Sequence, residues 1–137
     1  MGDTSDSGIG KEILVPTAIF RNRKLNVLKA LVTFLREQHR LGFSEIARLI
    51  RRDPRNVWAA YHLGIERDPD AVVPEGDSLF FPVSIVREDD LSILESVVAH
   101  LREHRGNAEI ARLLSRDPRT TDTAYRRAKE KRLRRVA

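Results

Sequence analysis

Cysteine is absent from the 137-residue chain, which excludes disulfides, thiolate zinc sites and thiol catalysis together and suits a reducing compartment. No apolar run approaches the ~18 residues that a bilayer span needs. The first dozen residues carry acids where a signal peptide has its apolar segment, so a cytoplasmic protein is expected, with no membrane partner. Also missing are a glycine-rich phosphate loop, a Ser-His-Asp context and a carboxylate beside a partner that would raise its pKa, so an enzyme is not expected. His100 and His104 stand four residues apart, a spacing that suits a metal, but no third ligand is evident and Glu103 sits on the wrong side of the motif. Neither a metal nor a cofactor is therefore expected.

What the chain has is charge. Lys and Arg number 25 against 20 Asp and Glu, a formal net charge of +5, and charged residues make up 33% of the sequence. Excess base of this kind, mostly arginine, suits a polyanionic partner. The length suits one or two small units.

The chain is also written twice. VPTAIFRNRKLNVLKALVTFLREQ, from Val15, aligns with FPVSIVREDDLSILESVVAHLREH, from Phe81, and after a short gap EIARLIRRDPR aligns with EIARLLSRDPR. Self-similarity of this kind sets the whole fold. Residues 1–11, small and polar, are expected to be a disordered tail, residues 12–67 a first unit, residues 68–78 an exposed linker rich in proline, glycine and acids, and residues 79–137 a second unit. The basic excess falls in the two units, while tail and linker are acidic.

Each copy opens with an apolar, β-rich arm, residues 13–20 and 79–86, which a central proline limits to an edge strand or an extended segment. A single small helical unit cannot bury such an arm, so the two are expected to pair with one another or across chains as a homodimer. An amphipathic helix follows, about residues 26–38, with Leu28, Leu31, Val32 and Leu35 on one face. In the second copy Ser92 and Glu95 form a capping box. Gly42 and Gly106 read as stops for these helices, and Ser44 and Asn107 as N-caps of the next, short ones. Asp53-Pro54 and Asp117-Pro118 open a third helix in each copy, an N-cap acid followed by proline at the first helical position.

Two short helices joined by a tight turn, with a small Ala47 or Ala111 at the crossing and Val57 packing back, are the steric pattern of a helix-turn-helix. In the second copy Thr121 takes the place of Val57, and its hydroxyl needs a partner. SEIARLIRRDPRNV and AEIARLLSRDPRTT resemble the helix-turn-helix of sigma-factor region 4 and of LuxR-type response regulators. LSILESVV is similar to the opening of that family's first helix, and TAYRRAKEKRLRR to its closing basic helix. The chain departs from the pattern in its arms and in Thr121. The fold class expected is thus all-α, two tandem tri- or tetrahelical units with a short extended arm before each.

The resemblance implies that the third helix of each copy enters a DNA major groove. With Val57, Ala60 and Tyr61 facing inward, Arg55, Asn56, Trp58, Ala59 and His62 point outward as base-reading candidates, and Arg119, Thr120, Asp122, Thr123 and Arg126 are their counterparts. Arginine suits guanine, asparagine adenine, and an aspartate accepts from cytosine. Family geometry implies phosphate contacts from Ser44, Arg48, Arg51, Arg52, Arg112 and Arg116, and the basic stretch 126–135 adds Arg127, Lys129 and Arg132. Plainer readings stand beside these. The arginines can form a solvated face paired with Glu37, Glu45 or Glu109, and Trp58 meets either DNA or the other copy. Tyr61 and Tyr125 read as core. The function expected is sequence-specific binding of double-stranded DNA by a nucleoid-associated transcriptional regulator whose two readers gain avidity from sharing one chain. The alternatives are a protein-interaction module, such as an RNA polymerase adaptor, and a nonspecific chromosome coat.

Overall fold

The computed structural model describes residues 12–136; the tail expected at residues 1–11 lies outside the described residues. The chain is mostly helical with one small sheet. Strand β1 (Leu14–Pro16) runs into a 3-10 turn (Thr17–Arg21), then α1 (Val27–His39), α2 (Phe43–Ile50) and α3 (Pro54–Arg67). The second copy repeats this order as β2 (Phe80–Pro82), a 3-10 turn (Val83–Arg87), α4 (Ile93–Leu101), α5 (Asn107–Leu114) and α6 (Pro118–Val136). Among the described residues, no helix is long and apolar enough to cross a membrane.

The arms pair with each other within one chain. β1 and β2 are antiparallel, with Val15 opposite Phe81, Leu14 opposite Pro82 and Pro16 opposite Phe80. Beyond the strands, the Thr17 amide donates to the Leu79 carbonyl at 2.8 Å and the Val83 amide to the Ile13 carbonyl at 2.9 Å. Val15 and Phe81 are equivalent residues of the repeat, as are Thr17 and Val83, so the register maps onto itself when the copies are exchanged. A local pseudo-two-fold axis passes through the Val15–Phe81 pair, as in an isologous dimer interface. Only three residues of each arm are strand, fewer than the apolar run suggested. Pro16 and Pro82 have no amide hydrogen to continue the ladder, and the chain turns there into the 3-10 segments.

Those turns cross over. The Thr17–Arg21 turn packs on α5 of the second copy, and the Val83–Arg87 turn packs on α2 of the first. One core results, running through Val15, Phe20, Leu31, Ile46 and Val57 and on through Phe81, Val86, Val97 and Ile110. Phe81, fully buried, stacks on Phe20 with ring centroids 6.0 Å apart. Each such side chain contributes about 1.5–3 kcal/mol on burial. The segment expected as an exposed linker is strapped to this body. Ala71 and Val73 pack on the core, the Ser78 hydroxyl accepts from the Ala18 amide at 3.1 Å, and Arg21 donates to the Glu75 carbonyl at 3.3 Å. Asp70, Glu75 and Asp77 face solvent, whereas Ala71 and Val73 lie beside α1.

Three of the expected caps, Ser92, Asp53 and Asp117, are found, and Asn26 adds one that was not foreseen. Asn26 accepts from the Lys29 amide at 2.8 Å, Ser92 and Glu95 close a capping box, and Asp53 and Asp117 accept from the Arg55 and Arg119 amides, each at 2.8 Å. The two glycines differ from expectation. Gly42 and Gly106 have φ of −74° and −84° and stand at the N-caps of α2 and α5, so they start helices. α1 is instead stopped by Arg40 in the left-handed conformation, φ 56°. Ser44 and Asn107 consequently lie inside the first turns. Asn107 is used differently: its amide oxygen accepts from the Thr121 hydroxyl at 2.8 Å and its amide nitrogen donates to the Pro118 carbonyl at 2.9 Å. That bond supplies the partner Thr121 requires at a fully buried position.

The copies solve one packing problem in two ways. Where α1 meets α3, a Cβ on Gly64 would lie 3.2 Å from the Thr33 hydroxyl oxygen; the second copy has Ala99 and Ala128 at these places, both buried. Among the described residues, the buried Thr33 hydroxyl has no hydrogen-bond partner. Gly64→Ala alone is expected to change stability little, since the helix-propensity gain is offset by this close approach. Thr33→Ala with Gly64→Ala is expected to stabilise by about 1 kcal/mol, the cost of glycine in a helix interior. Urea midpoints of the wild type, the two single variants and the double variant measure both.

Candidate nucleic-acid interface

The third helices owe their orientation to what they bury. α3 turns Val57, Ala60 and Gly64 inward, and α6 turns in Thr121, Ala124 and Ala128, so the opposite face of each helix meets solvent. Arg55, Asn56, Trp58 and His62 are exposed and Ala59 is half-buried; Arg119, Thr120, Asp122 and Arg126 are exposed and Thr123 is half-buried. All ten residues expected to point outward therefore do so to some degree. Trp58, which had two possible surroundings, faces solvent. Tyr61 and Tyr125 pack against the core as expected.

Both copies hold an arginine at the helix start in the same way. The guanidinium of Arg55 meets Asp53 at 2.9 Å and that of Arg119 meets Asp117 at 3.1 Å, while the two guanidinium-bearing side chains remain 90% and 91% exposed. The side-chain hydrogen bond from Arg55 holds the Asp53 carboxyl below its usual range, and Arg119 does the same to Asp117. Exposed pairs of this kind add little stability. They hold the fork at the first turn, where a bidentate acceptor can replace the carboxylate.

One turn further along, the copies part. Trp58 and His62 lie with ring centroids 4.0 Å apart, and Phe43 and Tyr61 extend the aromatic surface toward Arg36, which sits 4.5 Å above the Phe43 ring. The Tyr61 hydroxyl donates to Glu37, which raises its pKa above the usual phenolic value. At the equivalent positions of the second copy, Asp122 and Arg126 form an ion pair at 3.2 Å, and Arg126 also donates to the Thr123 hydroxyl at 3.2 Å. An aromatic pair thus faces out where the other copy presents a charged one. Phe43 and Pro54, with Arg55 and Trp58, line a shallow hollow of about 350 Å³ that sequence reasoning did not single out. Its signal was Phe43 itself, an aromatic residue ahead of an exposed helix start.

The residues expected at phosphates divide into three groups. Ser44, Arg48 and Arg127 are exposed, and Arg127 lines a cleft of about 540 Å³ together with Arg119 and Thr120. Arg51, Arg112, Lys129 and Arg132 are exposed but engaged. Arg51 pairs with Asp89 at 3.3 Å and Arg112 with Asp77 at 3.5 Å, and Lys129 sits 4.8 Å from the Tyr125 ring centre. Arg132 grips Glu88 at 2.7 Å beside Arg135. Glu88 is held at a pKa of about 2, first by the hydrogen bond from Arg132 and then by Arg135, with burial opposing.

Arg52 and Arg116 form the third group, half-buried and bonded to backbone carbonyls. Arg52 donates to the Ile50 carbonyl of its own turn at 2.9 Å and across the junction to the Val86 and Leu91 carbonyls at 3.4 Å each. Arg116 donates to the Leu114 carbonyl at 2.8 Å and across the junction to the Phe20 carbonyl at 2.9 Å. Burial lowers the pKa of both. The two are equivalent residues reaching equivalent carbonyls, Val86 and Phe20, so they clasp the halves reciprocally, half-buried and already engaged within the chain. The chain matches no family model, no curated protein and no solved structure.

Proposed function

We propose that the protein binds double-stranded DNA in a sequence-specific manner as a single-chain pseudo-dimer and acts as a transcriptional regulator at the nucleoid. α2–α3 and α5–α6 are read as its two helix-turn-helix units, each with a three-residue turn, and α3 and α6 as the helices that enter the major groove. One observation carries the reading: in both copies the first turns of the third helix leave an arginine fork and its neighbours exposed, on halves related by a pseudo-two-fold axis. Readers related in that way match two inverted half-sites about one helical turn (~34 Å) apart. Because Trp58 and His62 face out in one copy and Asp122 and Arg126 in the other, the half-sites are expected to differ in sequence, giving an imperfect palindrome. The resemblance of EIARLIRRDPR and EIARLLSRDPR to sigma-factor region 4 and LuxR-type readers supports the same assignment.

Selection of bound sequences from a random duplex library, followed by salt titration on selected and random duplexes, tests it. The expected result is an inverted, imperfect repeat and a steep salt slope on both duplexes. A direct-repeat site overturns the assignment of the reading helices. A slope without preference points to a nonspecific coat, and weak binding to every duplex points to a protein adaptor such as one for RNA polymerase.

A further inference from the structure

A cluster of cations lies where the start of α1 meets the end of α3 and the turn after α5. There Arg23, Lys24, Lys29, Arg67 and Arg116 surround a cleft of about 350 Å³, whose remaining walls are Leu25, Asn26 and Val27. Among the described residues, no carboxylate lines it. Among the described residues, none of the five cations forms an ion pair. Asp68, next to Arg67, is occupied by the Asn22 amide at 2.8 Å. Arg23 lowers the pKa of Arg116 by repulsion, after burial.

The second copy is an internal control. The residues equivalent to Arg23, Lys24, Lys29, Arg67 and Arg116 are Asp89, Asp90, Glu95, Lys131 and Arg52. Three cations of the first copy are thus three acids in the second. There the charges are settled within the chain: Lys131 meets Glu95 at 2.7 Å and Asp89 takes Arg51 at 3.3 Å. Burial opposes ionisation of Glu95, but Lys131 and the Ser92 amide outweigh it and keep its pKa low. In the first copy the same framework sets Lys29 and Arg67, two like charges, where the second has an ion pair. An anion with about three charges supplies there what Asp89, Asp90 and Glu95 supply in the other half.

We propose that this cleft binds a small molecule carrying two or three linked phosphates. The volume falls at the lower end of small-ligand sites, and the three cations without an acceptor elsewhere match the charge of a di- or triphosphate better than that of a single phosphate. The cleft also adjoins Arg67 at the far end of α3, roughly 20 Å along the helix from Asp53, so a duplex held at the start of α3 does not need to reach it. Since Arg23 bonds the Ser115 carbonyl at 2.6 Å and Arg116 the Phe20 carbonyl, the ligand sits on the junction between halves.

Calorimetric titration of the full chain with inorganic triphosphate at 0.15 M salt tests the proposal. Binding at one site is expected, with a rise in Tm of about 4 °C near saturation and at least tenfold weaker binding of inorganic phosphate. Lys29→Glu, which recreates with Arg67 the pair Glu95 makes with Lys131, is expected to weaken triphosphate at least tenfold while raising the Tm of the free protein. Lys24→Asp is expected to weaken it in the same direction, so one ill-folded variant does not decide the matter. Absence of binding, or binding unchanged in both variants, overturns the proposal. So does a loss confined to duplex binding, which assigns the cleft to the nucleic-acid backbone. A chain that takes triphosphate but no duplex upholds this site and sinks the DNA reading alone.

Discussion

Phe81→Ala is expected to cost about 3–5 kcal/mol, the range for removing a buried phenylalanine, which is a large part of the stability of a domain this size. Phe81 is fully buried on the pseudo-two-fold axis and stacks on Phe20 of the other copy, so its loss opens a cavity that neither half can close alone. The unfolding should remain a single transition in which both copies melt together, because each 3-10 turn packs on the other copy's second helix. Phe80→Ala, at a neighbouring residue 58% exposed, is expected to change stability by no more than about 0.5 kcal/mol. Thermal melts followed by near-ultraviolet and far-ultraviolet circular dichroism measure this. Two separate transitions, or equal losses at residues 80 and 81, would show that the halves are independent.

Arg55→Ala combined with Arg119→Ala is expected to lower affinity for the selected duplex about a hundredfold and for random duplexes much less. One bidentate contact to guanine discriminates by roughly 1–3 kcal/mol, and 1.4 kcal/mol is a factor of ten. Arg48→Ala with Arg112→Ala should instead weaken binding on all sequences alike and reduce the salt slope by about one for each phosphate no longer neutralised. Arg52 and Arg116 do not belong in this comparison: removing either leaves carbonyls of the junction without their donor and loosens the halves before any effect on DNA is read. Fluorescence anisotropy at three salt concentrations separates the two pairs, and equal losses from both on all duplexes would mean that α3 and α6 do not read bases.

Local chemistry made much of this arrangement legible. The Asp-Pro pairs, the Ser92–Glu95 box and the 3.6-residue spacing of Leu28, Leu31, Val32 and Leu35 are short-range signals, and they placed the helices to within a residue or two. The mutual pairing of the arms followed from apolar area that one copy has no means to bury. What stayed hidden depends on contacts far apart in the chain. Nothing in RRDPR distinguishes an arginine bound for solvent from one whose guanidinium reaches the Val86 carbonyl, although the repetition of RDPR in both copies is what a reciprocal clasp leaves behind. The glycines misled for a different reason. Gly42 stands both just after one helix and just before another, and only its φ, −74°, decides that it starts the second. At the interface itself, outward orientation could be read from the helical period, whereas the pairing of Asp122 with Arg126 and the engagement of Arg132 by Glu88 could not.

The ladder at Val15 and Phe81 has a consequence for how the protein responds to dilution. A two-chain regulator with the same symmetry falls apart below its dissociation constant, so its occupancy of a site rises with more than the first power of its concentration. Here the partner is supplied by the same polypeptide at an effective concentration that the strap between the copies fixes, and scarcity in the cell does not unmake the pair. If the protein reads DNA as proposed, its duplex titration curves are expected to be simply hyperbolic, and a handful of molecules to remain as competent, each for each, as thousands.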